Sequence, residues 1–537
     1  MADYEELKLW DSVTPHSHYA DRRQTHGRGL VVDNFAGGGG ASTGIEMATG
    51  RSPDIAINHD PDAIAMHKAN HPDSKHYCED VWQVDPEEAC GGHPVDIAWF
   101  SPDCKHFSRA KGGKPVDKNI RGLAWVAIKW AYFVRPRVIF LENVAEIQTW
   151  GPLDKDNRPI KDRMGETFDG FIGALTRGID RLHPAFAEMC NALDISTDSD
   201  MAIELSQGLG YEVDYRLLKS CDYGAPTTRT RFYKIARSDG EPIDFPEGDY
   251  ADAHSEAVMK GEKKPYHTAA ECIDWSVPTQ SIFDRKKPLA ENTMKRIARG
   301  LKKFVIDNPD PFIVPCEEYI STPYVTPIGY GEAEGQAPRV NSVEEPLGTV
   351  VTSGKHYLTA PILTQYHTET HADEVRGQLV TEPLLTQDTS NRFGLAAAYI
   401  LTMRHNMDGQ KIDEPLSTVS CSGAHHAEVK AFLLKYYGAE MDGQKIDEPL
   451  HTVTAKDRFA LVTIHGEQYV IVDVRMRMLQ PRELFNAQGF PKDYVIDHDY
   501  TGKEYSRAKQ VARCGNAVTP PVPAALVRAN LPDLCVA

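Results

Sequence analysis

The chain has 537 residues, of which 41% are hydrophobic and 25% charged, and a formal net charge of −18. This length accommodates two or three domains, and the composition is typical of soluble globular proteins. The negative charge excludes a general attraction of nucleic acid to the whole surface, so any such contact requires local basic patches.

The ten cysteines form no CxxC pair and no metal-like spacing with histidine. We therefore expect reduced thiols and no bound metal. The sequence has no signal peptide and no long apolar segment, which predicts a cytoplasmic protein without a membrane role.

Residues 1–28 are polar and aperiodic, and we interpret them as an N-terminal arm. A strand-like run from Gly29 leads into the loop Phe35-Ala36-Gly37-Gly38-Gly39-Gly40, and a helical pattern follows from Ser42 to Ala48. Glycines allow a backbone to approach a ligand closely, and a helix N-terminus offers unpaired N–H groups. The loop lacks the lysine of a P-loop and the spacing of the dinucleotide fingerprint, which disfavours phosphate binding.

The next unit has a strand at Asp54–Asn58 and a helix at Asp60–Asn70. A polar side chain at the end of a second strand is placed to hold a ribose hydroxyl, and the candidates here are Asn58 and Asp60. The sequence Cys-Glu-Asp-Val at 78–81 is expected to close a third short strand, with Asp80 at its end.

The apolar run Asp96–Phe100 predicts a buried strand, and Pro102-Asp103-Cys104 follows it. A thiol at the carboxyl end of a strand, in a loop with basic neighbours, is a candidate nucleophile. The alternative is an inert buried cysteine.

A helix from about Gly122 to Val134 is expected to lead to the strand Val138–Val144, in which Glu142 follows four apolar residues. Partial desolvation would raise the pKa of Glu142 and let it carry a proton near neutrality. The alternative roles are a helix cap and an ion-pair partner.

Strands that alternate with helices predict an α/β fold with a doubly wound, mostly parallel sheet, whose ligands bind at the strand carboxyl ends. Five candidates fall at such ends: Phe35, Asn58, Asp80, Cys104 and Glu142. Further along the chain, Arg229 and Arg231 lie on one side of an extended segment, so both can reach a polar ligand at the sheet edge.

The C-terminal half contains a repeat. Met-Asp-Gly-Gln-Lys-Ile-Asp-Glu-Pro-Leu occurs at 407–416 and again at 441–450, and weaker copies surround Glu382-Pro383-Leu384 and Glu345-Pro346-Leu347. Each copy continues into strand-like runs rich in Thr and Val. This spacing predicts a repeated β unit.

The order of these motifs resembles that of the DNA (cytosine-5) methyltransferases, of the bacterial or bacteriophage type. Residues 35–40 resemble the cofactor loop of that family, 102–108 its catalytic loop, 142–144 its acid motif and 229–231 its paired arginines. Near the C-terminus, 477–483 with 488–491 and 515–520 resemble the last two motifs.

Three residues depart from the family pattern. Asp103 stands where proline usually precedes the nucleophile, Asn58 where an acidic residue contacts the cofactor ribose, and Thr227 where glutamine precedes the arginines. A carboxylate beside Cys104 would raise the pKa of its thiol.

The resemblance implies an S-adenosylmethionine-dependent methyltransferase fold with a second, β-rich target-recognition domain. Residues 29–240 would form the catalytic and cofactor-binding domain, and 241–470 the recognition domain with repeats over about 340–470. Residues 471–537 would return to the catalytic domain. The implied reaction transfers a methyl group from S-adenosyl-L-methionine to C5 of cytosine in a specific sequence of double-stranded DNA. It proceeds through a covalent Cys104 adduct on a flipped-out base.

The resemblance also implies roles for individual residues. The catalytic residues would be Cys104, Glu142, Arg229 and Arg231. The cofactor-binding residues would be Phe35, Ala36, Gly37, Gly39, Asn58, His59, Asp60, Asp80, Val81, Asn516, Ala517 and Val518. Contacts to DNA are expected from Ser108, Arg109, Lys111 and Lys114 in the loop after the nucleophile, and from Arg404 and Tyr437 in the repeats.

Three alternatives stay open. The first is a transfer-RNA cytosine-5 methyltransferase, and the second is a catalytically silent DNA-binding relative. The third is an enzyme of the same fold that transfers a larger group from a modified cofactor. In each case we expect a monomer in the cytoplasm of a bacterial cell or phage-infected host.

Overall fold

A computed structural model describes most of the N-terminal half and the C-terminal end of the chain. Residues 28–102, 122–156, 158–278, 281–283, 285–289, 297, 301, 378, 382–386 and 474–536 are described with their side chains. Strand backbones alone are described at 280, 314–315, 324–325, 341–342, 357–365, 377, 393–402, 433–437, 440–444, 461–464 and 467–473.

The described residues divide into two compact units. The first unit lies within 1–267, 383–390 and 484–537, and the second lies within 268–382 and 391–483. The first unit is therefore built from three separate stretches of the chain.

A seven-stranded sheet in the order β3-β2-β1-β4-β5-β7-β6 forms the centre of the first unit. Its strands are β1 Leu30–Asn34, β2 Ile55–Ile57, β3 Lys75–Tyr77, β4 Val95–Phe100, β5 Val138–Asn143, β6 Glu212–Lys219 and β7 Thr230–Arg237. Strands β1 to β5 pair in parallel, and β7 is antiparallel to both β5 and β6. The strand order reverses between β1 and β4, where a doubly wound sheet forms its ligand crevice. The predicted α/β, mostly parallel sheet is confirmed.

Helices cover both faces of this sheet. The helices of the described residues are α1 Gly40–Thr49, α2 Pro61–Asn70, α3 Pro86–Cys90, α4 Val126–Phe133, α5 Glu166–Leu175, α6 Pro184–Leu193, α7 Asp200–Gln207, α8 Glu256–Met259, α9 Pro481–Ala487, α10 Arg507–Asn516 and α11 Pro521–Asn530. The predicted end of the third strand was wrong. The third strand ends at Tyr77 rather than at residues 78–81, so Asp80 lies in the following turn.

Two hydrophobic cores flank the sheet. On one face, Trp125, Trp130 and Phe171 are fully buried, and on the other, Val31 and Trp99 pack with side chains of α11. A parallel sheet covered on both faces requires apolar side chains on both sides of each strand, which is why the strands were visible as continuous apolar runs.

The second unit contains an antiparallel sheet in the order β10-β20-β16-β14-β11. Its strands are β10 Gln280–Ser281, β11 Val314–Pro315, β14 Tyr357–Gln365, β16 Phe393–Thr402 and β20 Glu467–Met478, with β15 Gly377–Gln378 beside β14 and β19 Leu461–Ile464 beside β20. Two small two-stranded sheets of this unit join β12 Tyr324–Val325 with β13 Asn341–Ser342, and β17 Leu433–Tyr437 with β18 Glu440–Gln444. A third, in the first unit, joins β8 Tyr250–Ala251 with β9 Lys264–Pro265.

Among the helices of the described ranges, none has the length and apolar character needed to cross a membrane.

The buried cation of Lys234 on β7 provides a test of this core. Its Nζ lies 4.2 Å from the centroid of the Phe171 ring, and no described residue accepts a hydrogen bond from it. Burial lowers the pKa of Lys234 to about 7 from its ordinary value of 10.5. Because the folded pKa is the lower one, the buried amine reduces stability increasingly as the pH falls from about 10.5 to about 7.

We therefore predict that Lys234→Met raises the melting temperature by about 4 °C or more at pH 7, and by less at pH 9.5. Thermal unfolding at the two pH values measures this difference. Lys260→Met removes an exposed lysine that pairs with Glu256 and serves as the control, with little change expected. A lower melting temperature for Lys234→Met than for the wild type at pH 7 would contradict the conclusion that the buried amine of Lys234 destabilises the fold.

Candidate active site

The loop between β1 and α1 forms a turn at the carboxyl edge of the sheet. Phe35 has a φ of 65° and Gly37 a φ of 49°, both in the left-handed region. The backbone N–H of Ala36 donates to the carbonyl of Ile57 at 3.0 Å, which fixes the loop to β2. Among described atoms, a Cβ on Gly37 would approach only the carbonyl oxygen of Phe35, at 3.4 Å. The surface beside Gly37 is therefore open to a ligand.

Glycines further along the loop have a different role. A Cβ on Gly39 would lie 2.1 Å from Oη of Tyr494, and one on Gly40 would lie 2.0 Å from the carbonyl oxygen of Val518. The Tyr494 hydroxyl also donates to the carbonyl of Gly38 at 2.8 Å. Gly39 and Gly40 are thus required for close packing of the C-terminal segment, which the sequence did not indicate.

The C-terminal segment places residues 516–518 next to the glycine loop. Asn516 is exposed at the end of α10, whereas Ala517 and Val518 are buried. Helix α10 is joined to the start of α2 by an ion pair between Arg513 and Asp60, at 2.6 Å. Residues more than 450 positions apart in sequence therefore meet at one edge of the sheet.

The two polar candidates after β2 are not equivalent. Asp60 Oδ1 accepts the N–H groups of Asp62 and Ala63, which caps α2, while Oδ2 pairs with Arg513. Burial would raise the pKa of Asp60, but the hydrogen bond and charge of Arg513 outweigh it and hold that pKa below its ordinary value. Both carboxylate oxygens of Asp60 are engaged, and Asn58 Oδ1 accepts the N–H of Asp60 at 2.9 Å. The amide Nδ2 of Asn58 is therefore the better candidate to contact a ribose hydroxyl. His59 between them is exposed.

The turn after β3 carries Asp80, which is exposed, and Val81, which is buried. Asp80 Oδ1 accepts the N–H of Trp82 at 3.1 Å, which shapes the turn from within. An exposed carboxylate beside a buried apolar residue can contact the polar edge and the face of a heterocycle.

A buried lysine from α4 holds this turn from below. Lys129 Nζ donates to the carbonyl of Trp82 at 2.7 Å and to that of Val84 at 2.9 Å. Burial lowers the pKa of Lys129 to about 8, and the negative charges of Asp85 and Asp80 oppose that shift. Sequence reasoning missed Lys129, because a lysine in a helix is normally exposed.

At the carboxyl end of β5, Glu142 lies beside Arg231 of β7. Glu142 Oε1 is 3.4 Å from Arg231 Nε, and Glu142 is 8% exposed. Burial raises the pKa of Glu142, and the positive charges of Arg231 and Arg229 only partly counter this. A carboxyl group with a raised pKa beside a fixed guanidinium can donate a proton next to a bound oxygen.

Arg229 points to a different partner. It is buried, and its Nη1 donates to the carbonyl of Gly515 at 3.1 Å. The sequence expectation that both arginines reach one ligand therefore needs refinement. Arg231 is the arginine that pairs with Glu142, and Arg229 connects the same segment to the C-terminal motif.

The end of β4 is fixed to the acid motif. Asn143 Nδ2 donates to the carbonyl of Pro102 at 3.1 Å, and Asn143 Oδ1 accepts the N–H of Val144 at 2.9 Å. Asn143 thus holds the chain at Pro102, two residues before Cys104. Its role was missed because it depends on a residue 41 positions away.

Several predicted site residues lie outside the described residues. They are Cys104, Ser108, Arg109, Lys111, Lys114 and Arg404. Tyr437 lies on β17, of which only the backbone is described.

The described edge of the sheet fits a nucleoside-bearing cofactor. Phe35 is half-buried and supplies an aromatic surface beside the open Gly37. The amide of Asn34, at the end of β1, is buried, and neither Oδ1 nor Nδ2 has a hydrogen-bond partner among the described residues. An unpaired buried amide indicates a place where a polar ligand can contribute hydrogen bonds. Within the described ranges, no group of three or more His, Cys, Asp or Glu side chains could hold a metal ion.

Comparison with known proteins places this geometry in context. The family model for C-5 cytosine-specific DNA methylases matches residues 30–171 and 362–530, which together are more than half of the chain. Among solved structures, the chain is similar to the S. pombe Dnmt2 methyltransferase, with a TM-score of 0.41 and 12% identity over 94% of this chain and 99% of that one.

Two curated relatives are bacterial enzymes. The Type II methyltransferase M.AgeI of Thalassovita gelatinovora is 26% identical over 243 residues, or 43% of this chain and 45% of that protein. The Type II methyltransferase M.DdeI of Desulfomicrobium norvegicum is 26% identical over 215 residues, or 40% and 41% of the two chains. The matches span less than half the length of these relatives. On the family model and its extent, this chain belongs to the C-5 cytosine-specific DNA methylase family.

Proposed function

We propose that the protein transfers a methyl group from S-adenosylmethionine to C5 of cytosine within a specific sequence of double-stranded DNA. The observation that carries this proposal is the pair of Glu142 and Arg231, 3.4 Å apart at the carboxyl edge of the sheet. Asn143, next to Glu142, donates to the carbonyl of Pro102, two residues before Cys104 in the sequence. Membership of the family supports the same reaction.

Cytosine C5 is a weak nucleophile because it belongs to an aromatic ring. In the proposed reaction, the Cys104 thiolate forms a bond to C6, which breaks the aromaticity and makes C5 enamine-like. After C5 is methylated, loss of the C5 proton to a base returns electrons to the ring and breaks the bond between C6 and sulfur. Cys104 leaves as a thiolate, so the enzyme is regenerated.

Glu142 and Arg231 act on the opposite side of the ring. Glu142 donates its proton to N3 as negative charge develops there, and its raised pKa keeps it protonated at higher pH than an exposed glutamate. N3 returns this proton to the Glu142 carboxylate when the product forms, which restores the acid. Arg231 binds the exocyclic oxygen, and its position is fixed before the base arrives. Arg229 contributes positive charge from a buried position.

Cofactor binding is assigned to the carboxyl ends of β1, β2 and β3 and to the C-terminal segment. Phe35 would stack on adenine, Asp80 with Val81 would contact its edge, and Asn58 would hold the ribose. The backbone of Gly37 and residues 516–518 complete the site. When bound, S-adenosylmethionine supplies an electrophilic methyl group.

The target base must leave the duplex to reach Glu142, because the chemistry cannot be performed inside the stack. We assign the backbone contacts to Ser108, Arg109, Lys111 and Lys114, which supply local positive charge on an acidic protein. Recognition of the sequence is assigned to the repeats, with Arg404 and Tyr437 as residue types that contact bases.

Bisulfite sequencing of DNA from cells that express the chain tests the proposed function. We expect protected cytosines in one sequence context, and none in cells that express Cys104→Ser. Protection of cytosines in RNA alone would replace DNA with RNA as the substrate. A total absence of protection in well-expressed, folded protein would refute the proposal.

A duplex with 5-fluorocytosine at the target position should trap the covalent adduct, because fluorine at C5 cannot leave as a cation. We predict a denaturation-resistant complex with wild-type protein and cofactor, and none with Cys104→Ser. Gel electrophoresis under denaturing conditions measures it. An equal yield of complex with Cys104→Ser would assign the nucleophile to another residue.

Glu142→Gln keeps the shape of the side chain but cannot donate a proton as an acid does. We predict a fall of roughly two orders of magnitude or more in the single-turnover rate, with little change in DNA affinity. The wild-type rate should decline as the pH rises above the raised pKa of Glu142, and the residual rate of the variant should not follow that decline. An unchanged single-turnover rate would remove Glu142 from the mechanism.

Lys129→Met should weaken cofactor binding, because the carbonyls of Trp82 and Val84 lose their shared donor and the turn that carries Asp80 is no longer held. We predict a rise of about tenfold in the dissociation constant for S-adenosylhomocysteine, measured by calorimetry, with unchanged DNA affinity. Lys129→Arg should retain most of the affinity. Equal affinities of Lys129→Met and the wild type for S-adenosylhomocysteine would show that Lys129 has no role in cofactor binding.

A further inference from the structure

One copy of the Glu-Pro-Leu repeat pairs with the segment that precedes the two arginines. The N–H of Leu384 donates to the carbonyl of Pro226 at 2.7 Å, and the N–H of Thr228 donates to the carbonyl of Leu384 at 2.7 Å. These two bonds flank Thr227, which forms a parallel bridge with Leu384. Residues 383–390 and 226–228 both belong to the first unit.

Burial strengthens this pairing. Leu384 is 2% exposed and Thr227 is 1% exposed. Hydrogen bonds from which water is excluded are stronger than exposed ones and costly to break, because the groups cannot turn to solvent instead. The adjacent Leu385, in contrast, is 36% exposed.

The tripeptide is suited to this pairing. Pro383 has a fixed φ near that of an extended chain and restricts the residue before it to extended conformations. The chain that leads to Leu384 therefore has fewer conformations to lose when Leu384 pairs with Thr227. Pro383 has no N–H, so the group that donates to the carbonyl of Pro226 is the N–H of the next residue, Leu384.

The segment that Leu384 holds carries the catalytic arginines. Residues 225–229 precede β7, which begins at Thr230. Within this segment the N–H of Arg229 approaches Thr227 Oγ1 at 3.4 Å, and Arg229 also donates to Gly515. A shift of Thr227 would therefore be transmitted to Arg229 and, two residues on, to Arg231.

We propose that Leu384 is a positioning residue for the paired arginines, and that the Glu-Pro-Leu copy at 382–384 is a docking motif for the backbone at Thr227. Leu384 acts through the carbonyl of Pro226 and the N–H of Thr228. The inference rests on the proposed function for its kinetic consequence, but the docking itself does not.

The repeats supply matched controls, because the same tripeptide recurs at Glu414-Pro415-Leu416 and Glu448-Pro449-Leu450. Leu384→Ala removes the buried side chain, and Leu384→Pro removes the N–H that donates to Pro226. Leu416→Ala and Leu450→Ala make the identical truncation in the other copies. Leu384→Met conserves volume and should keep the wild-type rate.

At saturating DNA and cofactor, we expect Leu384→Ala and Leu384→Pro to lower the single-turnover methylation rate at least tenfold. We expect the dissociation constants for DNA and cofactor to change less than threefold. Leu416→Ala and Leu450→Ala should lower that rate clearly less than Leu384→Ala does. In a double-mutant cycle, Leu384→Ala should add nothing to the defect of the variant that carries both Arg229→Ala and Arg231→Ala. Equal losses in all three leucine-to-alanine variants, or full additivity with the two arginine substitutions together, would overturn the proposal.

Hydrogen–deuterium exchange tests the docking without any activity. The amides of Leu384 and Thr228 should be protected in the wild type, and protection of Thr228 should fall in Leu384→Ala but not in Leu416→Ala. Rapid exchange of Thr228 in the wild type would refute the docking even in an active enzyme. Protection of Thr228 in a protein that methylates no cytosine would refute the proposed function and leave the docking intact.

Discussion

The close approach of Gly40 and Val518 is the constraint on which the first unit depends. The carbonyl of Val518 occupies the place where any side chain at position 40 would begin. This contact lets α11 pack on α1, where the backbone of Pro520 likewise approaches Gly44. One face of the sheet is thus covered by the two ends of the described chain, and the edge that holds the candidate cofactor residues is shaped by both.

Burial and pairing decide the charge state of the carboxylates around this edge. Glu142 and Asp60 both have an arginine partner, yet their pKa values shift in opposite directions. Burial dominates at Glu142, whereas at Asp60 the hydrogen bond to Arg513 and two helix N–H groups dominate. Proximity to a cation is therefore insufficient to identify an acid, and the deeper carboxyl group is the one suited to proton donation.

Local sequence patterns were sufficient for the sheet but not for the contacts between its parts. The alternation of apolar runs and helices predicted the parallel strands, and the candidates Phe35, Asn58 and Glu142 at the ends of β1, β2 and β5 followed from it. Strand β3 was misplaced because Lys75 and His76 interrupt its apolar pattern. The roles of Lys129 and Asn143 depend on carbonyl groups far away in sequence, and no local pattern reveals such partners. The antiparallel pairing of β7 with β5, which brings Arg231 to Glu142, is non-local for the same reason.

The three-part construction of the first unit bears on how its specificity can change during evolution. Recombination that exchanges residues 391–483 as one block replaces less than half of the second unit and leaves 383–390 with the first unit. An exchange with boundaries at 268 and 483 also removes Leu384 and its pairing with Thr227. A crossover after residue 390 therefore keeps the pairing of Leu384 with Thr227, whereas a crossover before residue 383 removes it. Lineages that exchange the second unit are expected to retain the stretch, or to replace it with another extended Pro-Leu sequence.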